Sequence, residues 1–556
     1  MYELIIAEKP NASKRIAEAL ADGKPIKENL NGVPYYKITR GKKDIVVACA
    51  VGHLYGLGEK EKKGWIFPVF DIEWKPSSDI SKKSGFSKKY LTAIKKLAKE
   101  ANEFTVATDY DQEGSVIGKN IVIFACKRKD ANRMKFSTLT KPDLIEAYEN
   151  KNKHLDWAQA EAGDTRHHLD FFNGINYSRA LTSSIKTAGS FKIMSTGRVQ
   201  GPTLKIVVDR EKEIKAFKPV PFWQIELQGN VNSGDIIAWH KQDKFWDKKE
   251  ADKVMKKVKN EKKAIIDKAE KKQFQQQPPV PFDLTSLQIE AYRCHKISPK
   301  ETLEIGQELY TSGCISYPRT SSQQLPGKIG YKKILTQLSK QINYKSLIKK
   351  LLSKKFLKPN NGRKTDPAHP AIYPTGITPE IANEREQKIY DLIVKRFMAT
   401  FAESALRETM IIDINCKDEI FIAKGTRTVE KGWHVFYEPY VRIEEEELPK
   451  VNKNDAVIVK KIKLYSKETT PPRRYTPASI IKELEKKNLG TKATRAAIID
   501  TLFQRGYVSG KAIEATNLGI KTIETLEKHV PKIVDEALTR HFEEEMEQIM
   551  ENKKTS

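Results

Sequence analysis

No two of the five cysteines, Cys49, Cys126, Cys294, Cys314 and Cys416, stand close enough in the chain to form a Cys-x₂-Cys clamp. A cysteine-ligated zinc site is therefore not expected. An odd, sparse set in a chain of 556 residues also argues against a disulfide framework. No apolar run approaches the roughly 18 residues that a membrane span requires. The start, Met-Tyr-Glu-Leu-Ile-Ile-Ala-Glu-Lys, carries Glu3 and Glu8 where a secretory signal would have a basic and then an apolar stretch. A soluble, cytoplasmic protein with no membrane partner is expected. The chain also lacks an obvious internal repeat, a long low-complexity tract and a Gly-x₄-Gly-Lys-Ser/Thr phosphate loop.

What the chain has is length and positive charge. It is too long for one hydrophobic core, and about three to five domains are expected. Its 20 Tyr, 21 Phe and 7 Trp are enough to build real cores. Lys and Arg number 99 against 72 Asp and Glu, a net charge of +27, and the isoelectric point is near 9.5. An excess of this size points to a polyanionic partner, for which nucleic acid is the usual candidate. Charge alone carries no base preference, because phosphate contacts position a protein without reading sequence. Charged residues make up 31% of the chain, above the typical quarter, which fits a thermophile.

Proline clusters at 218–222, 275–282, 357–374 and 469–477 mark joints or long loops. Up to about residue 155, short apolar runs at 4–7 and 104–108 read as buried strands followed by helix-permissive stretches, an α/β pattern with a parallel sheet. Residues 156–216 read as helical. Alternating, sheet-like stretches begin at Trp223 and again near 405, and a helical insert, 283–404, lies between them. Within it, Ser298-Pro299-Lys300-Glu301 has the form of a capping box with proline at the first helical position. From about Pro471 the rhythm is that of a winged helix.

Two constellations carry chemistry. Asp109, Asp111 and Glu113 follow directly on the strand at 104–108, and Glu8 ends the strand at 4–7. Ligands gather at the carboxyl ends of strands in an α/β sheet, so these four carboxylates are candidates to share one or two Mg²⁺ ions. The second constellation is Ile315-Ser316-Tyr317-Pro318-Arg319-Thr320-Ser321. A phenol is a poor nucleophile near neutral pH until its anion is stabilised. Arg319, two residues on in an extended segment, faces the same way as Tyr317 and is suited to hold a phosphate bidentately.

In chain order, Glu8-Lys9-Pro10, the Asp109/Asp111/Glu113 cluster, Thr165-Arg166-His167-His168-Leu169-Asp170, Gly174 to Arg179, Ser195-Thr196-Gly197-Arg198-Val199-Gln200, Asp283 to Gln288, the Tyr317 segment, Ala368-His369-Pro370 and Asn488 to Ala496 resemble the signatures of type IA DNA topoisomerases. The motifs span nearly the whole chain and look most like the archaeal enzymes and the topoisomerase III branch. The resemblance implies a multidomain α/β plus α+β toroid. A TOPRIM domain (1–155) would precede a split winged-helix-type domain (156–216 and 470–556). A β-rich arch (217–282 and 405–469) would carry an inserted helical, winged-helix-type tyrosine domain (283–404) as a gate. It further implies ATP-independent cutting of one DNA strand by Tyr317, with a 5′-phosphotyrosyl bond, passage of another strand and resealing. That would relax negatively supercoiled DNA and leaves decatenation open.

By the same resemblance Arg319 and Lys9 bind the scissile phosphate, and Glu8 protonates the leaving 3′-oxygen or helps hold metal. Asp109, Asp111 and Glu113 hold Mg²⁺ for rejoining, and His369 hydrogen-bonds the phosphate region. Arg166, Asp170, Arg179, Ser195, Arg198, Gln200, Gln288, Thr494 and Arg495 are candidate contacts to single-stranded DNA. Lys492 stands where many relatives have proline. The resemblance leaves RNA as a further substrate and a helicase as a partner open, and implies a monomer. Many relatives continue from this core into Cys-rich zinc modules, and the motifs matched here are those of the core. A TOPRIM primase or nuclease would leave the Tyr317 motif unexplained, and a reverse gyrase would need an ATPase module.

Overall fold

The computed structural model describes residues 1–62, 64–187, 194–231, 234–380 and 383–555. The first 150 residues form β1 (Tyr2–Ala7), α1 (Pro10–Leu20), β2 (Ile26–Leu30), β3 (Val33–Arg40), β4 (Lys43–Cys49), the hairpin β5 (Tyr55–Glu59) and β6 (Ile72–Pro76), a single turn α2 (Ser77–Ile80), α3 (Ser87–Ala98), β7 (Ala101–Ala107), α4 (Gln112–Asn120), β8 (Asn132–Arg133) and α5 (Lys141–Glu149). One six-stranded sheet runs in the order β2-β3-β4-β1-β7-β8. Strands β4, β1, β7 and β8 are parallel. The all-parallel expectation needs correction at the other edge, where β2 and β3 run antiparallel to their neighbours. The cause is the tight turn at Asn31-Gly32, where both residues have positive φ (51° and 76°); that conformation favours a two-residue hairpin. Continuous apolar β1 (Leu4, Ile5, Ile6 and Ala7 all fully buried) sits mid-sheet between helices on both faces, as a strand covered on two sides must. Its carboxyl end therefore opens, with that of β7, onto the same edge.

Two long helices follow, α6 (Trp157–Thr187) and α7 (Gln200–Ala216). Next come β9 (Pro221–Val231), β10 (Gly234–His240), α8 (Lys248–Val258) and β11 (Lys263–Gln276). A helical layer comprises α9 (Leu284–His295), α10 (Pro299–Thr311), α11 (Tyr331–Leu338), α12 (Ile342–Leu352) and α13 (Glu384–Thr400). The chain then returns through β12 (Ala405–Cys416), β13 (Glu419–Glu430), the turn α14 (His434–Tyr437) and β14 (Ala456–Glu468). Strands β9 to β14 close into a barrel in the order β10-β13-β12-β11-β14-β9. The last part is α15 (Pro477–Lys486), α16 (Arg495–Gln504), the short hairpin β15 (Val508–Ser509) and β16 (Glu514–Ala515), α17 (Asn517–His529) and α18 (Glu536–Met550).

Only half of the expected capping box forms on α10. Ser298 accepts from the Glu301 N–H at 3.2 Å, but the Glu301 carboxylate is drawn away to Arg385 at 2.6 Å. Beyond α10 the chain runs extended through Ile315, Ser316 and Tyr317 and packs onto the first sheet. Ala7, Ala107, Met134 and Phe136 of the sheet region share one apolar core with Leu309, Ile315 and Tyr317. The helical layer is thus docked on the carboxyl edge of the sheet. Arg15 of α1 locks this seam by donating to the Thr311 carbonyl at 3.0 Å. No described helix is long and apolar enough to cross a membrane.

Candidate active site at the acidic loop

The acidic loop forms because the chain leaves β7 and turns at once into α4. Asp111 caps that helix, accepting from the Gly114 N–H at 2.8 Å, and the Thr108 hydroxyl donates to the Gly114 carbonyl at 2.6 Å. A Cβ on residue 114 would stand 2.0 Å from the Asp109 carbonyl oxygen, so only glycine lets the turn close this tightly. The chain is helical from Gln112 onward. Glu113 therefore does not continue the alternation of Asp109 and Asp111, and it departs from the expected three-carboxylate set. Its Oε2 instead accepts from His53 Nε2 at 2.9 Å and His167 Nε2 at 3.1 Å.

Glu8 and Asp109 lie side by side although a hundred residues separate them. The Asp109 N–H donates to Glu8 Oε2 at 3.3 Å. Lys9 Nζ lies 3.7 Å from Glu8 Oε1 and 3.8 Å from Asp109 Oδ2. Burial, then the neighbouring Asp109 charge, pushes the Glu8 carboxyl up to about 8. Burial also raises Asp109, against the opposing charge of Lys9. Crowded oxygen donors held towards protonation by burial are what a hard divalent cation would relieve. Glu8 and Asp109 therefore suit a hard cation such as Mg²⁺, with Asp111 two residues on along the same loop.

Tyr317 reaches this loop from the helical layer. It is fully buried, its hydroxyl donates to Asp111 Oδ2 at 2.5 Å, and its N–H donates to the Ser137 carbonyl at 2.8 Å. Arg319 Nη1 lies 3.8 Å from the same Asp111 oxygen. The buried Nε of Arg319 has no hydrogen-bond partner among the described residues. Burial, then the charges of Asp111 and Asp109, holds the Tyr317 phenol well above its ordinary value, with Arg319 opposing. The Tyr317 hydroxyl thus sits against the acidic loop in its neutral form.

His369 stacks against the Tyr317 ring at 4.5 Å between centroids. Its Nε2 donates to the Tyr110 carbonyl at 2.9 Å, which leaves Nδ1 to accept from the Ser137 hydroxyl at 3.0 Å. Burial lowers this imidazole to about 4 and keeps it neutral. Sequence reasoning missed Ser137, and also Tyr310, whose hydroxyl donates to Asp109 Oδ1 at 3.2 Å. An isolated serine and a helical tyrosine give no signal until the fold brings them to the loop.

The other expected DNA contacts are engaged within the protein. Arg198 binds Asp170 at 2.9 Å and Glu543 at 2.7 Å, and Arg166 lies 3.5 Å from Glu543. Arg179 pairs with Glu59 and donates to the Ile66 carbonyl at 2.8 Å. Gln288 donates to the Pro299 carbonyl at 2.9 Å, and Arg495 to the Leu489 carbonyl at 3.1 Å. Gln200 donates to the Ser195 carbonyl at 3.1 Å, and Thr494 Oγ1 accepts from the Thr491 N–H at 3.0 Å. Lys492 forms an ion pair with Asp366. Arg166, Arg495 and Lys492 line a cleft of about 340 Å³ that also includes Asp111 and Arg319.

Residues 154–556 match the family described as DNA topoisomerase, and residues 3–139 match the Toprim domain. The chain belongs to the type IA DNA topoisomerase family. It is 48% identical to DNA topoisomerase 1 of Pyrococcus horikoshii over 99% of this chain and 81% of that protein. It is 48% identical to DNA topoisomerase 1 of Methanocaldococcus jannaschii over 99% of this chain and 71% of that one. The solved structure of full-length topoisomerase I from Thermotoga maritima superposes with a TM-score of 0.76 at 26% identity, covering 99% of this chain and 87% of that one. A type IA topoisomerase is an isomerase that cuts one DNA strand, passes another through the gap and reseals it. The sheet around β1 and β7 is its Toprim domain, a metal-binding domain that typically uses Mg²⁺.

Proposed function

We propose that Tyr317 is the nucleophile of this topoisomerase. Its phenolic oxygen bonds to the phosphorus of a single-stranded DNA phosphodiester as the phenol proton passes to Asp111 Oδ2, which the hydroxyl already faces at 2.5 Å, and the 3′-oxygen leaves with a proton from Glu8. The DNA stays attached through a 5′-phosphotyrosyl ester, and attack by the same 3′-hydroxyl reverses the exchange. One ester replaces another, so no ATP is required. The observation that carries this reading is the convergence of the Tyr317 hydroxyl and the Arg319 guanidinium on one oxygen, Asp111 Oδ2. A phosphate entering there would meet the nucleophile and a buried, unpartnered N–H together. Glu8, held protonated near neutral pH, suits the role of general acid. Glu8, Asp109 and Asp111 would hold Mg²⁺, which supplies charge stabilisation of the phosphate during rejoining.

The cleft lined by Arg166, Arg319, Lys492 and Arg495 is proposed as the path of the cut strand. In the DNA-free chain Lys492 and Arg495 pair with Asp366 and Glu485, so the incoming phosphates compete with those carboxylates. The domain limits are proposed at about 155, 216, 282, 404 and 469. The test is incubation with oligonucleotides labelled at either end, followed by denaturing gels. The piece upstream of the break should run free and the downstream piece should stay on the protein. Tyr317→Phe should bind DNA and form no adduct; an adduct in that variant, or two free pieces from the wild type, overturns the assignment.

A further inference from the structure

Behind the acidic loop, a second set of potential ligands converges outside the Asp109 and Asp111 pair. His53 follows β4, Glu113 lies in the first turn of α4 and His167 sits on α6. One nitrogen from each ring and one Glu113 oxygen all lie within 4.8 Å of one another. Each side chain is about one-third exposed, so an ion can enter from solvent.

The fold brings these three groups together by close helix packing. A Cβ on Gly163 of α6 would stand 2.6 Å from Val116 Cγ2 and 2.9 Å from the Gln112 carbonyl oxygen. Glycine at this point lets α6 lie directly against α4. His167, one turn on from Gly163, then meets Glu113 on the facing helix. Trp74 packs its ring edge to face against His167 at 5.5 Å, and its indole N–H donates to Asp164 at 3.0 Å. The His53 backbone is held by the Ser77 hydroxyl at 2.9 Å.

We propose that His53, His167 and Glu113 form a binding site for Zn²⁺ or a similar borderline divalent transition metal, separate from the Mg²⁺ site at the aspartates. Two imidazoles and a carboxylate suit Zn²⁺, whereas Mg²⁺ prefers oxygen donors alone. Ligands at about 2.0–2.1 Å from a tetrahedral ion stand about 3.3–3.4 Å apart. The nitrogens lie 2.9 and 3.1 Å from the Glu113 oxygen, within a few tenths of an ångström of that spacing, and within 4.8 Å of each other. On binding, each ring offers its Nε2 lone pair to the ion and carries its proton on Nδ1. Three protein ligands leave a fourth position for water. An ion here would clamp the first turn of α4 to α6, and that turn carries Asp111 as its cap.

The test is titration of the full-length, EDTA-treated chain with Co²⁺ as a visible probe, free of Mg²⁺, followed by displacement with Zn²⁺. One equivalent should give the intense absorption of four-coordinate Co²⁺, and Zn²⁺ should bleach it stoichiometrically. His53→Ala and His167→Ala should each weaken binding by at least about 100-fold, since even the groups that merely orient a ligand are worth 10–100-fold. Asp111→Asn should leave the spectrum intact, which keeps this result separable from the Mg²⁺ reading. X-ray absorption of the Zn²⁺-loaded wild type should show two imidazole ligands, a readout that does not depend on any variant folding. Absence of a four-coordinate spectrum in the wild type overturns the proposal. So does a spectrum that survives both histidine substitutions and is lost in Asp111→Asn.

Discussion

Arg198 offers a sharp choice between a DNA contact and a structural cation. Its side chain is 3% exposed and lies between Asp170 and Glu543, and Glu543 is itself 9% exposed. Burial lowers its pKa, but the charges of Asp170 and Glu543 outweigh that and raise it. Arg198→Met keeps the aliphatic volume and removes the guanidinium. Glu543 is then left buried with Arg166 at 3.5 Å as its remaining cation. Breaking a buried pair from one side costs about 3–5 kcal/mol. For a unit of this size, that should lower the first thermal transition by about 10 °C. Glu543→Gln in the same background should recover most of the loss, because it removes the unpaired charge. Single-stranded DNA affinity measured against salt gives the second arm. Each phosphate contact contributes about 0.7 to the slope of log K on log salt, and a structural Arg198 should leave that slope unchanged. Unchanged stability together with a slope reduced by about 0.7 would refute the argument and return Arg198 to the DNA.

Glu8→Gln retains an oxygen for the Asp109 N–H but cannot donate a proton as an acid; cleavage should slow by about 10²–10⁴ in single-turnover assays while DNA affinity holds. Asp366 is pushed up by burial, but the Lys492 charge outweighs this and brings it to about 2. A depressed acid contributes stability above its unfolded value near 4 that is lost as pH falls towards 2. Lys492→Met should therefore cost about 2 kcal/mol near pH 7, and the gap to wild type should close as unfolding is followed from pH 4 to pH 2. Gly114→Ala must displace the Asp109 peptide, whose oxygen stands 2.0 Å from the new Cβ. Overpacking of this kind costs about 1–3 kcal/mol, and Mg²⁺-dependent rejoining should fall more than DNA binding; equal rejoining in both proteins would count against the tight turn.

The first sheet was legible where burial is two-sided. Leu4 to Ala7 is a continuous apolar run and Phe104 to Ala107 is broken only by the buried Thr105, and both are central strands. The antiparallel edge turns at Asn31-Gly32, a pair that the reading of a parallel sheet did not take in. The alternating stretches after Trp223 and Ala405 announced sheet, yet alternation gives a strand two faces and does not name its neighbours. Closure of the barrel was therefore out of reach. At the site, residue types and strand-end positions pointed to Glu8, Asp109 and Asp111, and the family resemblance pointed to Tyr317 and Arg319; the fold brings these residues together. Glu113 shows the limit. Its divergence depends on where helix α4 begins, and its histidines come from a loop 60 residues earlier and a helix 54 residues later. No local pattern links those three positions.

Both connections between the barrel and the helical layer leave from the same end of one strand pair. β11 and β12 are matched from Ile265 opposite Asn415 to Gln276 opposite Ala405, and the layer hangs from their far ends. If a cut DNA end is carried on Tyr317, torque in the DNA pulls on that layer, and both strands are drawn along their axes in the same direction. Such a pull neither slides one strand past the other nor peels them apart, so the ladder bonds are not loaded one at a time. The ribbon can bend or twist as a strap while its pairing stays whole, and a swinging load is borne by two covalent chains at once.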